Sequence, residues 1–234
     1  MEITINGQLL LSMLIEQIMI NTNCKILQAN TDGFTFIVKK DLLPIVDKLK
    51  KDWENLTNLQ LENVQYSKMI IRDVNNYMGI YINGKTKLKG LFELDKDWHK
   101  DDSMKIVRIA LFNYYTNGIP VNDTIENHNN IYDYCLRFKS TKGWQTELHH
   151  IKDSKACIDK HSKNLRYFVS KNGGNLYKHH EDGRLNSITK GFKITPFNQY
   201  YKSDNYNIDY SFYKAECSKI LEIIEDKQLT LKLF

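Results

Sequence analysis

Lys25-Ile26-Leu27-Gln28-Ala29-Asn30, Thr31-Asp32-Gly33 and Phe34-Thr35-Phe36-Ile37-Val38-Lys39 form the stretch on which the reading of this fold turns. Two short runs of β-prone residues flank an Asp-Gly pair, and such a pair is among the strongest hairpin signals a single sequence offers. The stretch predicts a β-hairpin with Asp32 at its tip. Upstream, Gly7 to about Asn21 reads G-Q-L-L-L-S-M-L-I-E-Q-I-M-I-N, a helix whose broad apolar face can pack on a sheet. Downstream, Asp41 is placed to N-cap a second helix running to about Leu56, with Leu42, Ile45, Leu49 and Trp53 on one side. Residues Glu62 to Ile82 are rich in β-branched and aromatic side chains, and Asn83-Gly84 then turns the chain into Lys85, Lys87, Lys89 and Gly90. Helix, hairpin, helix, strands is the order of a small α+β domain with an antiparallel sheet and helices on one face.

Beyond Asp101 and Asp102 the pattern changes. Ser103 is the predicted N-cap of a helix through Met104, Val107, Ile109, Ala110, Leu111 and Tyr114 that ends near Gly118-Ile119-Pro120. A boundary near 95 to 103 divides the chain into domains 1–100 and 101–234. Within the second, Asn122 to Lys139 is predicted helical, and Asn164 to Ser170 and Asn175 to His180 are strands joined by a turn at Asn172-Gly173-Gly174. Asp209 caps a last helix to about Lys227, with Tyr210, Tyr213, Cys217, Ile220 and Ile224 on one side. The second domain is therefore expected to be mostly helical with one β-hairpin.

With 234 residues, 41% of them apolar, the chain can bury a core in one large or two small domains. Three prolines and eleven glycines leave no long flexible linker. The apolar run Leu9 to Ile20 is broken by Ser12, Glu16 and Gln17 and is too short and amphipathic to span a bilayer. No basic segment precedes it as a signal peptide requires. No membrane partner and a cytoplasmic location, in a bacterial or phage-infected cell, are expected. Cys24, Cys135, Cys157 and Cys217 are widely spaced and read as free thiols. Cys157 and His161, with His149 and His150 upstream, have no Cys-x-x-Cys beside them and are not read as a zinc site. From His150 to Lys202 eleven Lys and Arg face four Asp and Glu, more than the whole of the chain's net +5. A block of this kind attracts polyanions.

Gln28-Ala29-Asn30-Thr31-Asp32-Gly33-Phe34 resembles the third palm motif of family B DNA polymerases, whose usual form is Tyr-Gly-Asp-Thr-Asp-Ser followed by an apolar residue. Asp32 matches the second aspartate, Asn30 replaces the first and Gly33 replaces the serine. The helix beginning Gly7-Gln8 stands where the family has its palm helix. Arg72-Asp73-Val74-Asn75-Asn76-Tyr77 resembles the Lys-x-Tyr segment, with Asn75 in place of the lysine, and Lys87-Leu88-Lys89-Gly90 resembles the Lys-Gly that follows. The likeness is to a divergent phage-type branch and covers about residues 5 to 125.

The resemblance implies a partial polymerase palm followed by a thumb, with Asp32 as catalytic residue and Mg²⁺ ligand for two-metal nucleotidyl transfer. It implies DNA contacts from Tyr77, Arg72, Lys85, Lys87 and Lys89, and from Lys152, Lys155, Lys160, Lys163 and Arg166 in the thumb. Neither Asp-x-x-Ser-Leu-Tyr-Pro, source of the other essential carboxylate, nor Lys-x-x-x-Asn-Ser-x-Tyr-Gly, source of the nucleotide contacts, occurs. The chain is thus expected to be an enzyme only when a separate N-terminal polymerase chain supplies both motifs and, with them, deoxynucleotide binding. Primer-template DNA is the other expected partner. A non-catalytic DNA-binding remnant and an unrelated α+β interaction module are the alternatives.

Overall fold

The computed structural model of the protein describes residues 2–96, 102–226 and 230–232. The chain divides into two compact units, 1–90 with 227–234, and 91–226. The sequence-predicted boundary at 95 to 103 lies largely outside the described residues, as does Lys227. Both units mix helices with antiparallel strands.

In the first unit, helix α1 (Glu2–Thr22) is followed by strands β1 (Lys25–Ala29) and β2 (Phe34–Ile37) and by helix α2 (Leu43–Thr57). Leu14 and Ile18 of α1 and Val46 and Trp53 of α2 form a buried cluster with Cys24, against which Ile26, Phe34 and Phe36 of the hairpin pack. The Trp53 indole donates to the Leu10 carbonyl at 2.8 Å, so α2 is pinned to α1 by a polar bond at the edge of an apolar contact. Asp41 does not cap α2. It lies in a 3-10 turn, Lys40–Leu42, and α2 begins with Pro44 in its first turn and no side-chain cap. Proline there has no N–H to leave unsatisfied. The inward stripe runs through Val46, Leu49 and Trp53, while Ile45 is exposed.

Strands β3 (Tyr66–Asp73), β4 (Asn76–Tyr81) and β5 (Thr86–Leu88) continue the unit. They form a separate antiparallel sheet whose outer member is the last strand, Thr230–Lys232, paired to β3. The two sheets of this unit replace the single sheet expected, and the return of residues 230–232 puts the end of the chain with residues 1–90. At Gly79 in β4 the Tyr66 ring occupies the place of a side chain, 2.5 Å from where a Cβ would stand. The same ring stacks on Tyr81 with centroids 4.9 Å apart.

The second unit opens with helices α3 (Lys105–Asn117), α4 (Val121–Asn127) and α5 (Ile131–Tyr134). Ser103 does not cap α3: its hydroxyl accepts the Arg137 N–H at 2.9 Å. The helix does end as expected, at Gly118 with φ +67°, a conformation that suits glycine. Beyond α5 the chain is extended, in β6 (Leu136–Lys139), β7 (Trp144–Lys152), β8 (Lys155–His161), β9 (Asn164–His180), β10 (Leu185–Ser187) and β11 (Ile194–Pro196), and it closes with helix α6 (Tyr210–Asp226). These six strands form one antiparallel sheet, so the unit is not the mostly helical domain expected.

Strand β9 is one element of 17 residues, not two joined by a glycine turn. Its first half pairs with β6 and β11, and its second half with β7 and β10. Gly173 and Gly174 stand at the change of partner, and neither has positive φ. They are needed for space. A Cβ on Gly173 would lie 1.9 Å from the Ile194 carbonyl oxygen, and one on Gly174 would lie 2.6 Å from that of His149. Glycine inside a strand marks such close backbone approach. Helix α6 docks through Tyr213, whose buried hydroxyl donates to the Tyr134 carbonyl at 2.7 Å and accepts from the Val169 N–H at 2.9 Å. Asp209 accepts the Ser211 N–H at 3.1 Å, as an N-cap does. Among the described residues no helix is long and apolar enough to cross a membrane.

Candidate functional site

The β1–β2 ladder pairs Ala29 with Phe34, and the Asn30 N–H donates to the Gly33 carbonyl at 2.9 Å. Thr31 and Asp32 are therefore the two residues of the tip. Neither they nor Gly33 has positive φ, so the primed turn that usually selects Asp-Gly is not formed. The Asn30 side chain holds the turn instead, its Oδ1 accepting the Asp32 N–H at 3.3 Å, a local bond of the kind Asn and Asp side chains favour. Asp32 is exposed, and among the described residues its carboxylate meets only the Thr31 hydroxyl, at 3.5 Å.

Nothing in the backbone requires glycine at position 33, where the nearest atom to an added Cβ is Asn30 Oδ1 at 3.7 Å. Gly33→Ser should fold normally and gain roughly 0.4–1 kcal/mol by restricting the unfolded chain. A shift of the urea midpoint to lower denaturant would mean that the tip has a different conformation.

A β-bulge between Ile26 and Gln28 makes Leu27 the extra residue of β1. Leu27 packs against the cluster of Tyr66, Met69, Ile71 and Tyr77 on the four-stranded sheet, while Ile26 packs against the helices. The bulge thus lets a four-residue ladder bind two layers. Tyr77 lies in that cluster and is only 7% exposed, so its ring is a cross-strand core residue opposite Ile71, not the open phosphate contact expected. Lys87 pairs with Gly79 and shares the face of Met69 and Tyr77; Lys85 and Lys89 are exposed beside it. Lys89 donates its N–H to the Tyr77 carbonyl at 3.0 Å. Gly90, with φ +58°, abuts the Asp73–Asn76 turn, where a Cβ would lie 2.4 Å from the Asn75 carbonyl oxygen. The two segments likened to Lys-x-Tyr and Lys-Gly are therefore in direct contact. Arg72 is partly exposed, 4.0 Å from Asp73. Burial would raise the Asp73 carboxyl, but the Asn76 amide, the Asn75 N–H and Arg72 hold it below the usual range.

The five basic residues singled out in the second unit do not form one surface. Lys152 and Lys155 are partners at the tip of the β7–β8 hairpin. Lys160 lies on the opposite side of that ladder, across from Glu147; Lys163 is in the connection to β9, and Arg166 is on β9 opposite Arg137. Among the described residues no group of three His, Cys, Asp or Glu is arranged to hold a metal. Cys157 and His161 are not joined by His149 or His150: His150 bonds Asp159 at 2.8 Å, and His149 turns to Glu147.

Sequence reasoning missed that Glu147. It is buried on the sheet, one oxygen 3.2 Å from His149 Nε2 and the other 3.1 Å from His179 Nδ1. The Glu-x-His alternation of β7 is visible in the sequence, but His179 arrives only through the β7–β9 ladder. Burial alone would raise the Glu147 carboxyl, yet the two histidines hold it below the ordinary carboxylate range. Its contribution to stability is therefore complete above the unfolded value of about 4.3 and is lost as pH falls through the lower folded value. Glu147→Gln should cost about 1–3 kcal/mol at pH 7 and flatten the acid limb of a plot of Tm against pH. An acid limb identical to the parent's would remove Glu147 from that account.

Comparison with protein-family models, with curated proteins and with solved structures finds no match in any of the three.

Proposed function

We propose that this chain is the C-terminal palm and thumb part of a divergent, family B-like DNA polymerase, and that it forms a working enzyme with a separate chain carrying the missing motifs. The observation that carries this reading is an exposed aspartate on the tip of a two-stranded sheet that no third strand joins among the described residues. An isolated hairpin has two open edges and little stability of its own. A strand from another chain can pair there and bring a second carboxylate beside Asp32.

Helix α1 supports the same reading. Its inner side is buried through Leu11, Leu14 and Ile18, yet Ile5, Leu9, Met13 and Ile20 stand exposed along another side. Leu9 is 61% and Ile20 70% exposed. A helix that is apolar on two sides packs between two partners, and this one lacks the second among the described residues of the first unit.

Asp32 fits one position of a Mg²⁺ shell, because that ion takes one or two carboxylates and completes its octahedron with water and phosphate oxygens. It cannot hold the ion alone. When bound, the two ions supply charge stabilisation to the attacking and leaving oxygens of phosphoryl transfer. The chain's own contribution is to fix Asp32 on a tip tied to the sheet through Leu27 and to present Lys85, Lys87 and Lys89 to the phosphates of a primer-template. Contacts of that kind position the duplex without reading sequence.

The test is complementation. This chain is mixed with a second polypeptide containing Asp-x-x-Ser-Leu-Tyr-Pro and the fingers motif, on primed template with Mg²⁺ and deoxynucleotides. Extension by the mixture and by neither part alone is expected, with association abolished by Leu9→Lys and Ile20→Lys on the outer side of α1. Asn30 in place of the motif's first aspartate, and the two motifs that do not occur, favour a non-catalytic DNA-binding remnant instead. Salt-sensitive DNA binding with no extension in the mixture would establish that second reading.

A further inference from the structure

We propose that the sheet face of the second unit carrying Arg137, Lys139 and Arg166, together with Tyr132 and Tyr200, binds single-stranded nucleic acid. Arg137 and Arg166 are direct Cα partners in the β6–β9 ladder, and Lys139 follows on the same face opposite Asn164. Like charges directly opposite each other on a sheet are destabilising. Both arginines and Lys139 are exposed, and none of the three has a carboxylate partner among the described residues. Three cations held together without an acid are a preformed place for a polyanion.

The aromatic groups say which polyanion. The Arg166 guanidinium lies 5.3 Å from the centre of the Tyr132 ring. Tyr132 in turn is near-parallel to Tyr200, at 23° with centroids 6.2 Å apart. Tyr200 is 63% exposed, and buried Phe197 makes a T-shaped contact with each of the two tyrosines. An arginine, a tyrosine and an open tyrosine in series form a stacking platform that ends at solvent. Cations for phosphates beside ring faces for bases is the chemistry that binds single strands. A duplex keeps its base faces stacked inside and cannot use the rings, and an acidic peptide gains nothing from them. The ligand is thus a chain of phosphates with accessible bases.

This inference does not rest on the polymerase reading: of its residues only Arg166 is among the DNA contacts that the resemblance implies, and none of them needs the second chain. The experiment follows the anisotropy of a fluorescein-labelled oligo(dT) of roughly 16 nucleotides with the full chain at about 50 mM salt. Oligo(rU), a duplex of equal length and poly-glutamate are run in parallel. Arg137→Gln with Arg166→Gln should weaken oligo(dT) binding about tenfold or more. It should also raise Tm slightly, since it removes a repulsion, so weaker binding cannot reflect unfolding. Tyr200→Ala should weaken single-strand binding about fivefold or more and leave the duplex unchanged, while Tyr200→Phe binds as the parent. Oligo(rU) should respond to every variant as oligo(dT) does; sensitivity of one alone would assign the site to DNA or to RNA. The proposal is overturned by absence of oligonucleotide binding, by oligo(dT) affinity that survives the double arginine variant, by equal loss of duplex and single strand in Tyr200→Ala, or by poly-glutamate competing as well as oligo(dT).

Discussion

Gly173→Ala is expected to be the most destabilising single methyl that can be added to this protein. The new Cβ would stand 1.9 Å from the Ile194 carbonyl oxygen and 2.4 Å from its carbon. Both are backbone atoms, so no rotamer change relieves the clash. Ile194 is the first residue of β11 and pairs with Val169, while β9 on the other side of the glycines is committed to β7 and β10. Moving either strand breaks a ladder in a layer where Val169, Leu176 and Ile194 are fully buried. A loss of about 4 kcal/mol or more in urea unfolding is expected, at the extreme of single substitutions. Gly7→Ala provides the contrast. Apart from its own helix backbone no atom lies within 4 Å of its added Cβ in the second turn of α1, and it should gain about 1 kcal/mol from helix propensity. A Gly173→Ala midpoint close to the parent's would show that β9 is two strands with a slack joint.

That pair of glycines also shows where sequence reasoning stops. Asn172-Gly173-Gly174 carries the composition of a turn, but turn and close approach both ask for a missing side chain, and only the neighbours tell them apart. The converse error occurs at Asp153-Ser154. There the chain reverses between β7 and β8 with φ of +49° and +62° at two residues that are not glycine, so no strong turn signal marks the longest hairpin of the unit. Where local chemistry decides, the sequence was legible: the hairpin around Asp32, the left-handed Gly118, the Asp209 cap and the inward stripe of Tyr213, Cys217 and Ile224. Asp41 and Ser103 had the chemistry of caps but were drawn to other positions, by Pro44 and by the Arg137 amide.

The site was legible to the same depth. Asp32 could be placed on a tip, because a turn is local. Which lysines share a surface could not be counted from a charged segment, because successive strand residues face opposite ways, and that alternation separates Lys160 from Lys152 and Lys155. Tyr77 was read for its hydroxyl and is held for its ring. Glu147 with its two histidines, and Arg137 opposite Arg166, exist only through ladders between distant segments.

Asp32→Ala should abolish the activity of the complemented enzyme without touching the fold. Its carboxylate is exposed and meets one hydroxyl at 3.5 Å, so thermal stability should stay within about 0.5 kcal/mol of the parent's. Under the proposed two-metal reaction Asn30 cannot stand in for that carboxylate, because it is neutral and its oxygen is already used by the Asp32 N–H. Primer extension by the mixture should fall by about 10³-fold, the scale on which groups that stabilise charge in a transition state act. Duplex affinity should be unchanged or slightly tighter, since a negative charge leaves a surface that meets phosphate. Asn30→Asp is the complementary change. Aspartate can accept the same N–H, so the turn is kept while the tip gains a charge, and the Mg²⁺ concentration for half-maximal extension should fall. Extension that survives Asp32→Ala would take this residue out of catalysis, and a tip charged at both positions with no change in Mg²⁺ dependence would take the metal away from this tip. The first result concerns the residue and the second the place, so together they separate an active site built across two chains from a hairpin that only holds them together.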